Sequence, residues 1–298
     1  MSDVRLTLGP VLFNWSAERL LEFYRGIAAS RLFDRVHVGE VVCGKRMPFS
    51  DPVWPDAIGL LEDAGVEVVL STLALPGTPR ERKAVAELCG DGRLVEVNDV
   101  TALPARSGRP FVAGPFLNVY NEGTAAFLAA RGAATLCLPV ELPLRSAAAI
   151  GAACPGVELE TFAFGRLPLA LSGRCYHARL HGLHKDSCQF VCDKDPDGIA
   201  VDTLDGRHFL AANGIQTLSH GVQAWLPTEA EALAAGVRRL RLSPHTADMA
   251  SVARVYRAVL DGVMSRPEAL ETLAALRLPG ELVDGYVRGD RGCAAAVA

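Results

Sequence analysis

The chain has 298 residues, 50% hydrophobic and 21% charged, with a formal net charge of −4. That apolar content excludes a disordered chain, and the length allows one large domain or two small ones with a core that needs no disulfides. Lys+Arg 30 against Asp+Glu 34 argues against a broad nucleic-acid footprint, so no nucleic-acid partner is expected. No apolar run reaches the roughly eighteen residues of a membrane span. The opening Met1-Ser2-Asp3-Val4-Arg5 lacks the basic and apolar segments of a secretory signal. The expectation is a cytoplasmic protein without a membrane span, whose eight cysteines are thiols or ligands rather than disulfides.

Short runs rich in β-branched residues predict strands at Arg5–Phe13, Arg35–Glu40, Val66–Leu73, Arg93–Asn98, Phe111–Val119, Thr135–Leu138, Val157–Phe164 and Val237–Leu242. Most read as near-continuous apolar runs, the mark of strands buried on both faces. Helices are predicted between most of them, at Ala17–Ser30, Pro55–Ala64, Pro79–Gly90, Glu122–Arg131, Arg145–Ala152 and Thr228–Ala235. Ser16 and Thr78 stand where helices should start, with Pro79 suited to a first turn. Gly65, Gly132 and Gly236 stand where helices should end. Eight strands with intervening helices close most simply as an α/β (β/α)8 TIM-like barrel. An open doubly wound sheet is the runner-up, and its GxGxxG signature is missing. Residues 168–225 break the rhythm between the seventh strand and its helix. They read as a cysteine-rich insertion, with an Asp205-Gly206 hairpin between Ile199–Leu204 and Arg207–Ala211. Residues 1–289 form one barrel domain on this reading, and Asp290–Ala298 form a flexible tail.

Cys175, Cys188 and Cys192 lie in the insertion with C-x12-C-x3-C spacing, and Cys43 follows the second strand. In a barrel the loops after the strands gather on one face, so Cys43 can reach the other three. Four thiolates suit tetrahedral zinc or an iron–sulfur cluster. Structural zinc usually draws on C-x2-C knuckles, which are missing, so isolated cysteines around a shielded pocket favour a cluster. The plainer reading, small buried hydrophobes, is assigned to Cys89, Cys137 and Cys154, and Cys293 is an exposed thiol in the tail.

His177, His181 and His184 run beside these cysteines. A mixed His/Cys site is one reading; surface or supporting residues are the favoured one. His37 in the second strand reads as a satisfied core or surface histidine. Glu40, Lys45, Arg46, Glu141 and Arg174 fall near strand ends or loops on the same face and are the candidate anion-binding group. No GxSxG, HExxH or P-loop occurs, and no catalytic residue is assigned.

Taken together, Val38-Gly39-Glu40-Val41-Val42-Cys43-Gly44-Lys45-Arg46, Leu171-Ser172-Gly173-Arg174-Cys175-Tyr176-His177-Ala178-Arg179, Cys188-x3-Cys192 and Leu210-Ala211-Ala212-Asn213-Gly214-Ile215-Gln216-Thr217 resemble the collagenase-like peptidase family. Leu8–Trp15 and Leu138–Pro143 resemble it too, and the likeness runs to about residue 289. Ser-Gly-Arg-Cys is common to the family, whereas the early cysteine and the C-x12-C-x3-C spacing resemble its branch in ubiquinone biosynthesis. The resemblance implies a [4Fe-4S] cluster on Cys43, Cys175, Cys188 and Cys192. It also implies a heterodimer with UbiU, cooperation with UbiT or other ubiquinone biosynthesis proteins, and O2-independent, anaerobic hydroxylation of the ubiquinone ring. Relatives that hydroxylate RNA bases take the hydroxyl from prephenate, which makes prephenate a candidate donor here, held by Glu40, Lys45, Arg46, Glu141 and Arg174. Two alternatives stand beside this: a non-catalytic structural or binding partner of UbiU, and a peptidase, which the missing nucleophile and base disfavour.

Overall fold

Alternation of polar and apolar residues, rather than continuous apolar runs, marks the barrel strands. Arg35 and His37 in Arg35-Val36-His37-Val38, and Arg239 and Arg241 in Val237-Arg238-Arg239-Leu240-Arg241-Leu242, fall on alternate positions, yet all four are buried. Such alternation normally puts the polar face toward water. Here the polar face turns inward. The computed structural model, which describes residues 2–297, explains how.

Strands β1 (Arg5–Leu8), β2 (Arg35–Val38), β3 (Glu67–Ser71), β4 (Leu94–Val97), β5 (Phe111–Ala113), β6 (Ala133–Cys137) and β7 (Glu158–Leu171) pair in parallel, each with the next. Three further strands, β8 (Ile199–Asp202), β9 (His208–Asn213) and β10 (Gln216–Ala224), belong to the insertion. β11 (Val237–Leu242) then pairs in parallel with both β7 and β1, which closes an eight-stranded parallel barrel. The expected TIM-like (β/α)8 barrel is the observed fold.

The helices on its outer side are α1 (Ala17–Ser30), the single turn α2 (Met47–Ser50) with α3 (Trp54–Asp63), α4 (Pro79–Cys89), α5 (Glu122–Ala129) and α6 (Leu144–Ala153). The single-turn α7 (Tyr176–Leu180) lies in the insertion, and α8 (Glu229–Ala234) precedes β11. Ser16 caps α1, and Thr78 and Thr228 each form a reciprocal capping box with a glutamate three residues on. Between β4 and β5 two short 3-10 turns replace a helix, and the buried Arg106 donates to the carbonyls of Cys89, Asp91, Arg93 and Pro110.

Two predicted strands end early at proline. β1 stops before Gly9-Pro10 and β5 before Gly114-Pro115, since proline donates nothing to a ladder. β7 runs seven residues beyond its predicted end, to Leu171 rather than Phe164, because β10 pairs against its extension in antiparallel fashion. The hairpin at Asp205-Gly206 joins β8 to β9 as expected. The sequence reading missed α9 (Met249–Leu260) and α10 (Arg266–Ala274). The signal for α9 was present: Asp248 caps it, and Val252, Val255, Tyr256 and Val259 repeat at helical spacing on its buried face.

After β12 (Leu282–Val283) and α11 (Gly285–Arg288), Ala295 bridges to Val283 and the Ala296 N–H donates to the Leu282 carbonyl over 3.0 Å. The Arg288 side chain adds a bond to the Ala295 carbonyl at 3.0 Å. Residue 298 lies outside the described residues.

The barrel interior holds two tiers of charge. Nearer the strand starts, Arg35 pairs with Glu67 at 2.8 Å and donates to Thr135 Oγ1 at 3.1 Å, while Arg239 pairs with Glu158. Nearer the strand ends, Arg241 bridges Glu96 and Glu160, each at 2.5 Å, and Ser71 Oγ donates to Glu96 at 2.7 Å. His37 lies 3.3 Å from both Ser71 Oγ and Glu96, and is a satisfied core histidine. Burial alone would raise the carboxyls of Glu96 and Glu160; Arg241 and His37, joined by Ser71 at Glu96 and Arg35 at Glu160, together outweigh it. Glu160 falls to about 2, and Glu96 lies well below the usual carboxylate range.

Candidate metal centre

The loop after β2 carries Cys43 and is shaped by its own side chains. Gly39 takes φ +129, and a Cβ there would lie 2.6 Å from the Ser71 carbonyl oxygen. Glu40 Oε1 then accepts the N–H groups of Val42 at 2.8 Å and Cys43 at 2.9 Å. Arg46, only 2% exposed, reaches back beneath the loop. Its Nη1 donates to the Leu12 carbonyl at 2.8 Å, its Nη2 to Asn213 Oδ1 at 2.9 Å, and it lies 3.8 Å from Glu40. One guanidinium therefore ties together the loops after β1 and β2 and the turn between β9 and β10. At that turn Gly214 has φ +61, and a Cβ would come 2.8 Å from Arg46 Nη2.

Cys175 caps α7, its Sγ accepting the Ala178 N–H at 3.4 Å. Cys188 follows a 3-10 turn at Lys185–Ser187, and Cys192 lies in another at Val191–Lys194. Between them Gln189 and Phe190 take left-handed φ of 49° and 55°, a reversal that side-chain-bearing residues rarely adopt. It carries both cysteines to the same cavity. The Phe190 ring packs edge-on against Phe49 at 4.7 Å, and the Trp15 indole donates to the Pro196 carbonyl at 2.7 Å, which anchors the segment to the barrel.

Cys43, Cys175, Cys188 and Cys192 thus line one small cavity, together with Lys45, Arg46, Lys185 and His177. Burial pushes the thiols of Cys43 and Cys175 up, Arg46 opposing this at Cys43. Among the described residues no three of these sulfurs gather within 4.8 Å of one another. Zn–S bonds of about 2.3 Å would require sulfurs about 3.8 Å apart, closer than any three of these lie. A cubane holds its thiolates at separate iron corners and spreads them more widely. A four-cysteine donor set with Lys45, Arg46 and Lys185 lining the same cavity is compatible with a four-iron cluster.

Cys89, Cys137 and Cys154 are buried elsewhere and Cys293 is exposed, as the sequence reading assigned them. The five charges proposed as an anion-binding group do not converge. Glu40 and Arg46 are buried together under the Cys43 loop. Lys45 and Arg174 line an open groove beside Cys175, where Lys45 bonds the Lys185 carbonyl at 2.6 Å and Arg174 is exposed. Glu141 lines a different cavity, with Phe116 and Leu169, and accepts the Tyr120 hydroxyl at 3.0 Å. The physical reason is length: Arg46 extends inward to the Leu12 carbonyl and the Asn213 amide oxygen, a choice its sequence position does not reveal.

His177 was read as a surface or supporting residue; it is 0% exposed and lines the cysteine cavity. Its Nε2 lies 2.8 Å from Asp195 Oδ2, and Nδ1 is buried without a partner. Burial holds its pKa below the ordinary value, Asp195 opposing. With the carboxylate taking the Nε2 proton, Nδ1 is a bare lone pair. It makes no hydrogen bond to any cysteine sulfur. Asn213 was also missed as a site residue; the Asn-Gly dipeptide that marks its turn was the available signal.

No helix among the described residues is long and apolar enough to cross a membrane. Among solved structures, the chain is similar to a tryptophan synthase complex from Pyrococcus furiosus at 9% identity, over 92% of this chain and 99% of that chain, with a TM-score of 0.41. That likeness is too loose to bear on function. The sequence profile of peptidase family U32 matches residues 26–292, nearly the whole barrel together with its insertion. The chain belongs to peptidase family U32.

Proposed function

We propose that the chain acts as a UbiV-type iron–sulfur subunit, working with UbiU in O2-independent hydroxylation during anaerobic ubiquinone biosynthesis. The observation that supports this most is the meeting of four cysteines from distant segments at one cavity lined by Lys45, Arg46 and Lys185. Cys43, Cys175, Cys188 and Cys192 would hold a [4Fe-4S] cluster, which supplies one-electron chemistry when bound. Four protein thiolates for four irons leave no iron open to substrate, which favours electron transfer or a structural role over direct ligation. Glu40 and Arg46 fix the Cys43 loop. Lys45 and Arg174, which line the open groove beside Cys175 together with Glu81 and Asp186, would hold an anionic donor such as prephenate.

A structural partner of UbiU is the second reading, favoured by the same four-thiolate set. A peptidase is disfavoured because His177 contacts no cysteine sulfur and the cavity carries no carboxylate base. The test is anaerobic co-purification with UbiU, with iron, sulfide and cellular ubiquinone measured together. The expected result is a brown protein with about four irons and four sulfides per chain. Alanine at Cys43, Cys175, Cys188 or Cys192 removes both the cluster and anaerobic ubiquinone, while alanine at Cys89 or Cys154 spares both. A colourless protein with stoichiometric zinc sinks the cluster. Normal anaerobic ubiquinone in the cysteine variants sinks the pathway.

A further inference from the structure

We propose that His177, His181 and Asp195 form a second metal site, for a divalent first-row ion, on the outer side of the cysteine cavity. The two histidines are four residues apart, His177 within α7 and His181 at its C-cap, so they share one side of the turn. Their rings lie parallel within 8°, with centroids 5.7 Å apart. One ring nitrogen of each and a carboxylate oxygen of Asp195 lie within 4.8 Å of one another. Nitrogen and oxygen donors bind such ions at about 2.0–2.2 Å, so this spacing closes around an ion with little movement.

Burial grades across the group: His177 is buried, Asp195 half-buried and His181 exposed. An ion there keeps its outer positions open to water or to an anionic ligand. Asp195 is held in place, since the Gly198 N–H donates to its carbonyl at 2.9 Å and Trp15 holds the next residue, Pro196.

The second, independent observation is the orphaned Nδ1 of His177. A buried polar atom without a partner is costly. With an ion on Nε2 the proton resides on Nδ1, and His177 also lines the cysteine cavity. Metal-bound histidines usually donate their second N–H to a carboxylate, a backbone carbonyl or water. His177 would then stand between the ion and the cysteine cavity, its Nε2 on the ion and its Nδ1–H free for a water. Two imidazoles and one carboxylate suit Mn(II), Fe(II) or Zn(II) and leave coordination positions free.

The site stands whether or not the cysteines hold a cluster, and Mn(II) makes the two questions separable, because a hard ion binds thiolates poorly. Full-length protein, isolated anaerobically and passed over chelating resin, is titrated with Mn(II) while the six-line spectrum of the free ion is followed by electron paramagnetic resonance. The expected result is suppression of that signal up to one equivalent. His181→Ala and Asp195→Asn, both at exposed or half-buried positions, should weaken binding by roughly tenfold or more with the cluster absorbance retained. No suppression by the unmodified chain, or equal binding by both variants, overturns the proposal. A missing cluster shows separately, in absorbance and iron content.

Discussion

Replacing Arg241 by Met tests the polar barrel interior directly. Arg241, Glu96 and Glu160 are each at most 1% exposed, and both carboxylates depend on this one guanidinium. Removing one partner from a buried ion pair costs about 3–5 kcal/mol, because the remaining charge has no compensation. Here two charges are stranded, so the upper part of that range is expected. For a chain of this length the unfolding entropy is about 0.6 kcal/mol per kelvin, which converts the loss to a fall in Tm of roughly 5–8 °C. The pH dependence carries a signature. In the native protein both carboxyls lie below their unfolded value, so their stabilisation is present above about pH 4.3 and is lost as pH falls toward about 2. In Arg241→Met burial prevails and raises both, so the variant gains stability as pH falls from 7 toward 4. The gap between the two proteins should therefore narrow on acidification. Urea unfolding from pH 7 to pH 4 measures it. Adding Glu96→Gln and Glu160→Gln should recover more than half of the loss. A deficit below about 1 kcal/mol, or one constant across that pH range, would refute the reasoning.

Arg46 and Arg174 should separate sharply. Arg46→Met strands Glu40 and removes the tie among three loops, so about 3 kcal/mol of stability and the cluster absorbance are both expected to go. Arg174→Gln, at an exposed position, should leave the cluster spectrum and stability unchanged and weaken binding of an anionic donor by roughly tenfold, read by calorimetric titration. Gly39→Ala places a Cβ 2.6 Å from the Ser71 carbonyl at φ +129, and should cost about 2 kcal/mol or more in urea unfolding.

The sequence by itself determined the order of the elements. Strand-forming runs, the caps at Ser16 and Thr78, and the break at residue 168 are local signals, read from neighbours a few residues apart. They also placed Cys43 and the insertion cysteines after strands, on the face where barrel loops gather. Only the tertiary structure decided which way the polar residues of the strands point. Arg241 meets Glu96 across 145 residues, and alternation alone cannot say whether a charged face turns to solvent or to a closed barrel filled with opposite charge. The same holds at the metal centre. Arg46 turns inward because the Leu12 carbonyl and the Asn213 amide oxygen accept its donors there, and Glu141 falls in another cavity although it follows a strand on the same face. His177 and Asp195 are 18 residues apart, joined by a loop whose path depends on the left-handed backbone at Gln189 and Phe190. Side chains with little glycine-like freedom adopt that conformation only when their surroundings impose it, and those surroundings come from elsewhere in the chain.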